Sequence, residues 1–255
     1  MNNFVTDAIN LKSYNLSESD KIIVMYSKEK GLIKGVAKGC KKPKSKLGAR
    51  MDLLVANRLM CYKGKNMDTI CEAKSLNTFK QSRQSMDKLF YSMHISEIVN
   101  NFGVEEDPCS KEVYDLLYKA LEKIAHSEEK KDVLIAVIKF QLKIMQIAGF
   151  GVELDTCLCC REQILEQNMY FSSKMGGVIC QECNEHLGIK TKMHHKLRDF
   201  LLAMLQFDFN FESDYDKKAN EKVCTVCFEL LKEYVQTHCH KKFKTTEIMQ
   251  TSCFV

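Results

Sequence analysis

The stretch IIVMYSKEKGLIKGVAKG, residues 22–39, decides how the first third of this chain folds. IIVMY is a short continuous apolar run with β-branched members, as a buried strand has. SKEKG follows as a turn signal and LIKGVAK reads as a second strand, so residues 28–32 are expected to be the loop of a β-hairpin. Upstream, residues 4–12 alternate partially through Val5, Ile9 and Leu11. Downstream, DLLVANRLMCY (52–62) and MDTICEA (67–73) read as two more strands around the turn Lys63–Gly64–Lys65–Asn66. Five short strands joined by turns of this length point to a small antiparallel barrel over residues 1–78.

Beyond residue 80 the apolar period changes to that of helices. Met86, Leu89, Phe90 and Met93 keep helical spacing and are expected to form a core face. Asp107–Pro108 reads as a helix start, a capping side chain followed by proline at the first helical position. Val113, Leu116, Leu117, Ala120, Leu121 and Ile124 then hold one face. Residues 131–147 are apolar on most sides, which predicts a central buried helix ended by Gly149. Two further helices are expected near 192–206 and 220–242.

Past the hairpin comes VAKGCKKPKSKLGAR, residues 36–50, with six basic side chains and no acidic one. The segment 28–50 holds nine Lys or Arg against one Glu, a local +8 in a chain whose net charge is +5. The remainder therefore sums to about −3 (5 − 8), so the basicity is concentrated in one place. Gly39, Pro43 and Gly48 keep this stretch from being a regular helix, so its charges belong to a strand end and a mobile loop. A solvated loop is the plain alternative, but solvated faces mix signs and no acid occurs from 30 to 51. Unmixed positive charge on a small barrel suits the phosphates of a nucleic acid. Tyr26, Tyr62 and Phe79 are the only aromatics counted near it, so base stacking is not evident.

Between the helices lies CLCCREQILEQNMYFSSKMGGVICQEC, with Cys157-x2-Cys160 and Cys180-x2-Cys183 separated by 19 residues. Two CxxC knuckles at this spacing read as a four-cysteine zinc site, each tight turn aiming two thiolates at one ion. Cys159 and His186 are competing ligands on sequence grounds. A second pair, Cys224-x2-Cys227, runs at helical spacing with Leu230, Leu231, Tyr234 and Val235 and reads as helix core instead.

The opening MNNFVTDAIN lacks the basic-then-apolar pattern of a secretory signal, and the longest apolar run, VLIAVI, falls far short of a membrane span. The chain is therefore expected to be cytoplasmic, and its 13 cysteines reduced or metal-bound. No Walker loop, HExxH or GxSxG occurs, and a four-cysteine zinc offers no open position for activated water, so an enzyme such as a metal-dependent nuclease is disfavoured.

YNLSESDKIIVMYSKEKGLIKGVAKG (14–39) continued by CKKPKSKL, the knuckle FSSKMGGVICQEC (171–183) and the ending CHKKFKTTEIM (239–249) together resemble the RecO family of bacterial recombination mediators. The likeness spans nearly the whole chain. It implies an α+β protein: an N-terminal five-stranded OB-fold over 1–78, then an all-helical domain over 79–255 carrying an inserted zinc-finger element at about 154–188. It implies one structural zinc ion on Cys157, Cys160, Cys180 and Cys183, and DNA contacts from Lys34, Lys38, Lys41, Lys42, Lys44, Lys46 and Arg50. The function implied is non-enzymatic DNA repair in the cytoplasm, nucleoid-associated during repair. Such a protein binds single- and double-stranded DNA and anneals complementary strands. With RecR it helps load RecA onto strands coated by single-strand-binding protein. The chain departs from the family's pattern at Cys40, where a small residue is usual, and in using lysines where arginines are common; lysine keeps phosphate attraction but loses bidentate contacts. The runner-up reading is an OB/zinc-ribbon RNA-binding factor of translation or transcription.

Overall fold

The computed structural model describes residues 3–206, 209, 214–239 and 241–245. The hairpin expected in residues 22–39 is present: β2 (Lys21–Ser27) turns through three residues into β3 (Gly31–Ala37). Gly31 opens β3 at φ +68, and a Cβ there would lie 2.4 Å from the Val104 carbonyl oxygen, so only glycine makes this turn without displacing the chain against it. With β1 (Asn3–Asn15), β4 (Ala56–Tyr62) and β5 (Asp68–Asn77) these strands close a barrel of order β1-β2-β3-β5-β4. All its pairings are antiparallel except β3 with β5, where Gly35 faces Asp68 and Val36 faces Thr69. The expected five-stranded OB-type barrel is thus present.

The inward positions Ala8, Ile23, Met25, Ile33, Ala37, Leu59, Cys61 and Ile70 fill the barrel. Burial pushes the Cys61 thiol up to about 12, as expected of an inert core cysteine. The fourth strand starts later than its apolar pattern predicts. Residues 48–51 form a short 3-10 turn, and Leu54 takes a left-handed φ of +59 while its N–H donates to the Asn10 carbonyl at 2.9 Å.

The described residues divide by contacts into two compact units. The first runs to His126 and includes Phe243–Thr245; the second is Ser127–Lys242. The first extends past the barrel because α1 (Met86–Phe102) and α2 (Ser110–His126) pack onto β1 and β2. The face of α1 differs from the expected stripe. Met86 is 82% exposed, and the buried side is Tyr91, His94, Ile95, Ile98 and Val99. Asp107 does cap, accepting the Cys109 N–H at 2.8 Å, but the helix it precedes begins only at Ser110. Its other carboxylate oxygen accepts the Tyr26 hydroxyl at 2.7 Å; burial and that bond push the phenol's pKa up.

In the second unit α3 (Lys130–Ile147) is the central helix, buried on most sides from Val133 to Met145. α5 (His195–Gln206) and α7 (Glu221–His238) pack on it. A short α6 (Asp214–Lys218) supplies Asp216, whose carboxylate pairs with Lys139 of α3 at 2.9 Å with both side chains buried. Strands β6 (Asn168–Ser172), β7 (Gly177–Ile179) and β8 (Lys192–His194) form a sheet of order β7-β6-β8, with α4 (Gln181–Leu187) between β7 and β8. The helix expected from 192 therefore begins at 195, after a strand.

Candidate nucleic-acid interface and metal centre

The basic loop leaves β3 at Ala37 and returns to the barrel at Met51. Its charges and its anchors are different side chains. Lys34 points outward from β3, and Lys38, Lys41, Lys42, Lys44, Lys46 and Arg50 follow; all seven are exposed. None of the seven makes an ion pair among the described residues. Between them Cys40, Leu47 and Met51 turn inward and are buried in the barrel core. The backbone is held too. Gly39 N–H donates to the Asp20 carboxylate at 2.7 Å, and Lys41 N–H to the Ser19 carbonyl at 3.1 Å. The Arg50 carbonyl accepts from both Asn10 and Asn57 side chains at 2.8 Å. The loop expected to be mobile is therefore pinned at both ends by buried groups, which the sequence reading missed because the three anchors follow no period.

The loop's surroundings are less uniform at the Lys34 end. Lys34 lines a groove of about 170 Å³ together with Lys30, Lys63 and Lys65, but Asp68, Glu105 and Glu106 also line it. Of the aromatics near the loop in sequence, Tyr26 and Phe79 are buried in the protein and cannot meet a ligand. Tyr14 is 48% exposed on β1.

In the second unit the four cysteines of the two knuckles converge. The Sγ atoms of Cys157, Cys160, Cys180 and Cys183 all lie within 4.8 Å of one another, with Cys160 and Cys180 4.0 Å apart. A tetrahedron of about 2.3 Å Zn–S bonds has edges of about 3.8 Å, so the donor set fits such an ion. Cys159 is exposed beside this cluster and His186 lies on α4; neither belongs to it. The turns are those a knuckle needs. Cys157 N–H donates to the Glu162 carbonyl, Arg161 N–H donates back to Cys157, and Arg161 takes a left-handed φ of +66. Cys180 caps α4, its sulfur accepting the Cys183 N–H at 3.4 Å. Of the paired glycines before it, Gly177 has a steric reason: a Cβ there would lie 2.3 Å from the Glu153 carbonyl oxygen, across the bridge between the segments that lead into the two knuckles.

Electrostatics within the cluster are uneven. Burial works to raise the Cys157 thiol, but N–H groups of Cys180, Cys160 and Cys159 aimed at its sulfur prevail and lower it to about 6. Burial raises Cys180, and the Cys180 sulfur together with burial raises Cys183. The Cys157 thiolate is favoured and those of Cys180 and Cys183 are opposed, and a bound cation would offset that opposition. Cys224 and Cys227, by contrast, lie buried on α7, their thiols pushed up by burial to about 11 and about 12. The helical reading of that pair holds.

The family model described as Recombination protein O N terminal matches residues 1–79, and Recombination protein O C terminal matches residues 83–247. The chain belongs to the recombination protein O family. Among curated relatives, the DNA repair protein RecO of Desulforamulus reducens is 28% identical, covering 95% of this chain and 92% of that protein. The DNA repair protein RecO of Acetivibrio thermocellus is 26% identical, covering 98% of each. That of Caldanaerobacter subterraneus is 28% identical over 95% of each. Family membership makes this a DNA repair protein with an OB-like N-terminal barrel. No helix among the described residues is long and apolar enough to cross a membrane.

Proposed function

We propose that the protein is a non-enzymatic recombination mediator that holds single- and double-stranded DNA by its phosphates and anneals complementary strands. The observation that carries this is the loop of residues 38–51, in which exposed lysines without acidic partners alternate with side chains sunk in the barrel core. Pinning sets the charges in place before DNA arrives, so little ordering is required on binding. Contacts to phosphates neutralise strand repulsion without reading sequence, and annealing needs bases left free to pair. Following the family, RecR, single-strand-binding protein and, indirectly, RecA are the partners of this reading, and the cytoplasm its location.

The four-cysteine cluster is read as a structural zinc site. Cys157, Cys160, Cys180 and Cys183 would hold the ion and tie β6, β7 and α4 to the first knuckle. With four protein thiolates the coordination is closed, and the ion supplies folding energy rather than an activated water.

The test is annealing of complementary oligonucleotides coated with single-strand-binding protein, with and without added RecR. Accelerated annealing that RecR modulates is expected. No acceleration above the uncatalysed rate would overturn the mediator reading. A competition in which RNA displaces DNA at equal or lower concentration would favour the RNA-binding alternative.

A further inference from the structure

β1 changes parity halfway along. Ala8 lies in the barrel core and Asn10 pairs with the inward Met25, so even-numbered residues point in at that stage. A bulge between Asn10 and Lys12 then shifts the register, and Ser13 becomes the partner of the inward Ile23. The bulge thereby turns Lys12 and Tyr14 from the interior parity to the outer face. Tyr14 pairs with Ile22 of β2, and Ile22 pairs with Val36 of β3, so the three form one row across the outside of β1, β2 and β3. Tyr14 is 48% exposed, and Ile22 and Val36 are partly exposed.

Basic residues border this apolar row on both sides. Lys12 and Lys34 belong to the preceding row, each paired with Val24, and Lys38 follows Val36 at the mouth of the basic loop. Lys12 Nζ lies 4.8 Å from the centroid of the Tyr14 ring. Beyond Tyr14, the turn before β2 is joined to the basic loop by Lys41 Nζ, which donates to the Ser17 carbonyl at 2.9 Å. That turn also carries two acids. Glu18 is exposed, while the Asp20 carboxylate is engaged by Gly39 N–H and the Ser19 hydroxyl.

We infer that this row is a stacking platform for the bases of an unpaired DNA strand whose phosphates are held by Lys12, Lys34, Lys38 and the loop. The inference rests on the DNA-binding reading above and adds to it a preference for single strands. An aromatic ring flanked by cations suits an unstacked base and its phosphate, and a duplex, whose bases are stacked internally, cannot use it. The row is about 10 Å across at the usual strand spacing, short beside an oligonucleotide, so most bases stay free to pair.

The test uses the full chain and three probes of equal length: an oligothymidylate, an abasic strand and a duplex. Tyr14→Ala is expected to weaken oligothymidylate binding about fivefold or more, the range seen for loss of one stacking contact, and to change the other two less than twofold. Tyr14→Phe should retain wild-type binding, and the salt slope of Tyr14→Ala should be unchanged because no phosphate contact is lost. Wild-type protein should bind the oligothymidylate more tightly than the abasic strand, a comparison that needs no variant; equal affinities overturn the platform. So does an equal loss by Tyr14→Ala on all three probes, or no loss on any. The joint Lys41, Lys42, Lys44 and Lys46 to Glu change judges the loop separately. Loss of binding there with Tyr14→Ala silent overturns the platform and leaves the loop standing. A selective Tyr14→Ala loss with that change silent supports the platform and overturns the loop.

Discussion

The basic loop and the cysteine knuckle are both poor in regular structure, and they are held in opposite ways. In the loop, function and folding are assigned to different side chains: lysines face solvent while Cys40, Leu47 and Met51 fill the core. In the knuckle, on the proposed zinc reading, they coincide, because the four thiols that would take the ion would also tie residues 154–188 together. Three short strands and the seven-residue α4 bring the pieces near, but only Cys157 is buried; Cys160 is exposed and Cys180 and Cys183 are partly buried, so three of the four thiols gain little from burial. A region of the first kind tolerates loss of its functional groups without unfolding. A region of the second kind is expected not to.

The sharpest break between the two is charge reversal in the loop. Changing Lys41, Lys42, Lys44 and Lys46 together to Glu turns a local +4 into −4, and DNA binding and annealing should fall by about a hundredfold or more. Because all four are exposed, the melting temperature should stay within a few degrees of wild type. Single Lys→Ala changes should each act weakly, since the phosphates are shared among several cations. Wild-type affinity for single strands should fall steeply with salt, with roughly 0.7 counterions released per contact. A quadruple variant that melts normally yet anneals at the wild-type rate would remove the loop from the DNA site.

The knuckle should respond in the opposite sense. Purified protein is expected to carry about one zinc per chain by elemental analysis. Cys180→Ser opens the tetrahedron, so zinc should be lost and amide exchange over residues 154–188 should quicken. Cys224→Ser should leave zinc content untouched, because that thiol is buried in α7. Protons compete with the ion for thiolates, so zinc retention in the presence of a chelator should fall as pH is lowered. Zinc-free protein from zinc-replete growth, or zinc lost with Cys224→Ser, would contradict the assignment.

What the sequence disclosed follows the same division. The hairpin, the barrel and the four-cysteine spacing were legible because each writes a local signal: an apolar run ended by turn residues, or two knuckles at a fixed spacing. The anchors of the loop were not, since Cys40, Leu47 and Met51 reach the core from an irregular backbone that imposes no period. The face of α1 was misjudged for a related reason. That helix buries Ser92, His94 and Ser96 beside Ile95 and Val99 and leaves Met86 outside, so its apolar stripe does not mark its buried side. Tyr14 escaped notice because the bulge that turns it outward depends on pairing with β2, which alternation within β1 does not reveal.

If buried anchors hold the loop, removing one should cost stability rather than DNA affinity per folded molecule. Leu47 is 7% exposed within the barrel core, and Leu47→Ala is expected to cost about 2–4 kcal/mol in denaturant unfolding. Binding measured well below the transition should change less than the quadruple reversal changes it. A cost below about 0.5 kcal/mol, the level of ordinary surface substitutions, would mean that Leu47 is not an anchor.

The smallest expected effect concerns a polar, partly exposed pin. The Asp20 carboxylate accepts the Gly39 N–H at 2.7 Å and the Ser19 hydroxyl at 3.0 Å. The Gly39 bond, the Ser19 bond and the charge of Lys38 favour its ionised form, lowering its pKa from the ordinary 3.8. A carboxyl whose folded pKa lies below its unfolded one contributes stability that is fully present above the unfolded value and is lost as pH falls through the folded value. Solvent screening keeps the contribution small, so global melting is the wrong measurement. The Gly39 amide is the right one. Its chemical shift should move on acidification with a midpoint below the ordinary carboxyl range, and Asp20→Asn should abolish that titration while speeding exchange at Gly39 and Lys41. The same change removes a negative charge beside Lys38, so DNA affinity should rise slightly, by less than about threefold, at low salt. A Gly39 amide that does not titrate in wild type would show that the loop is held by its buried side chains alone.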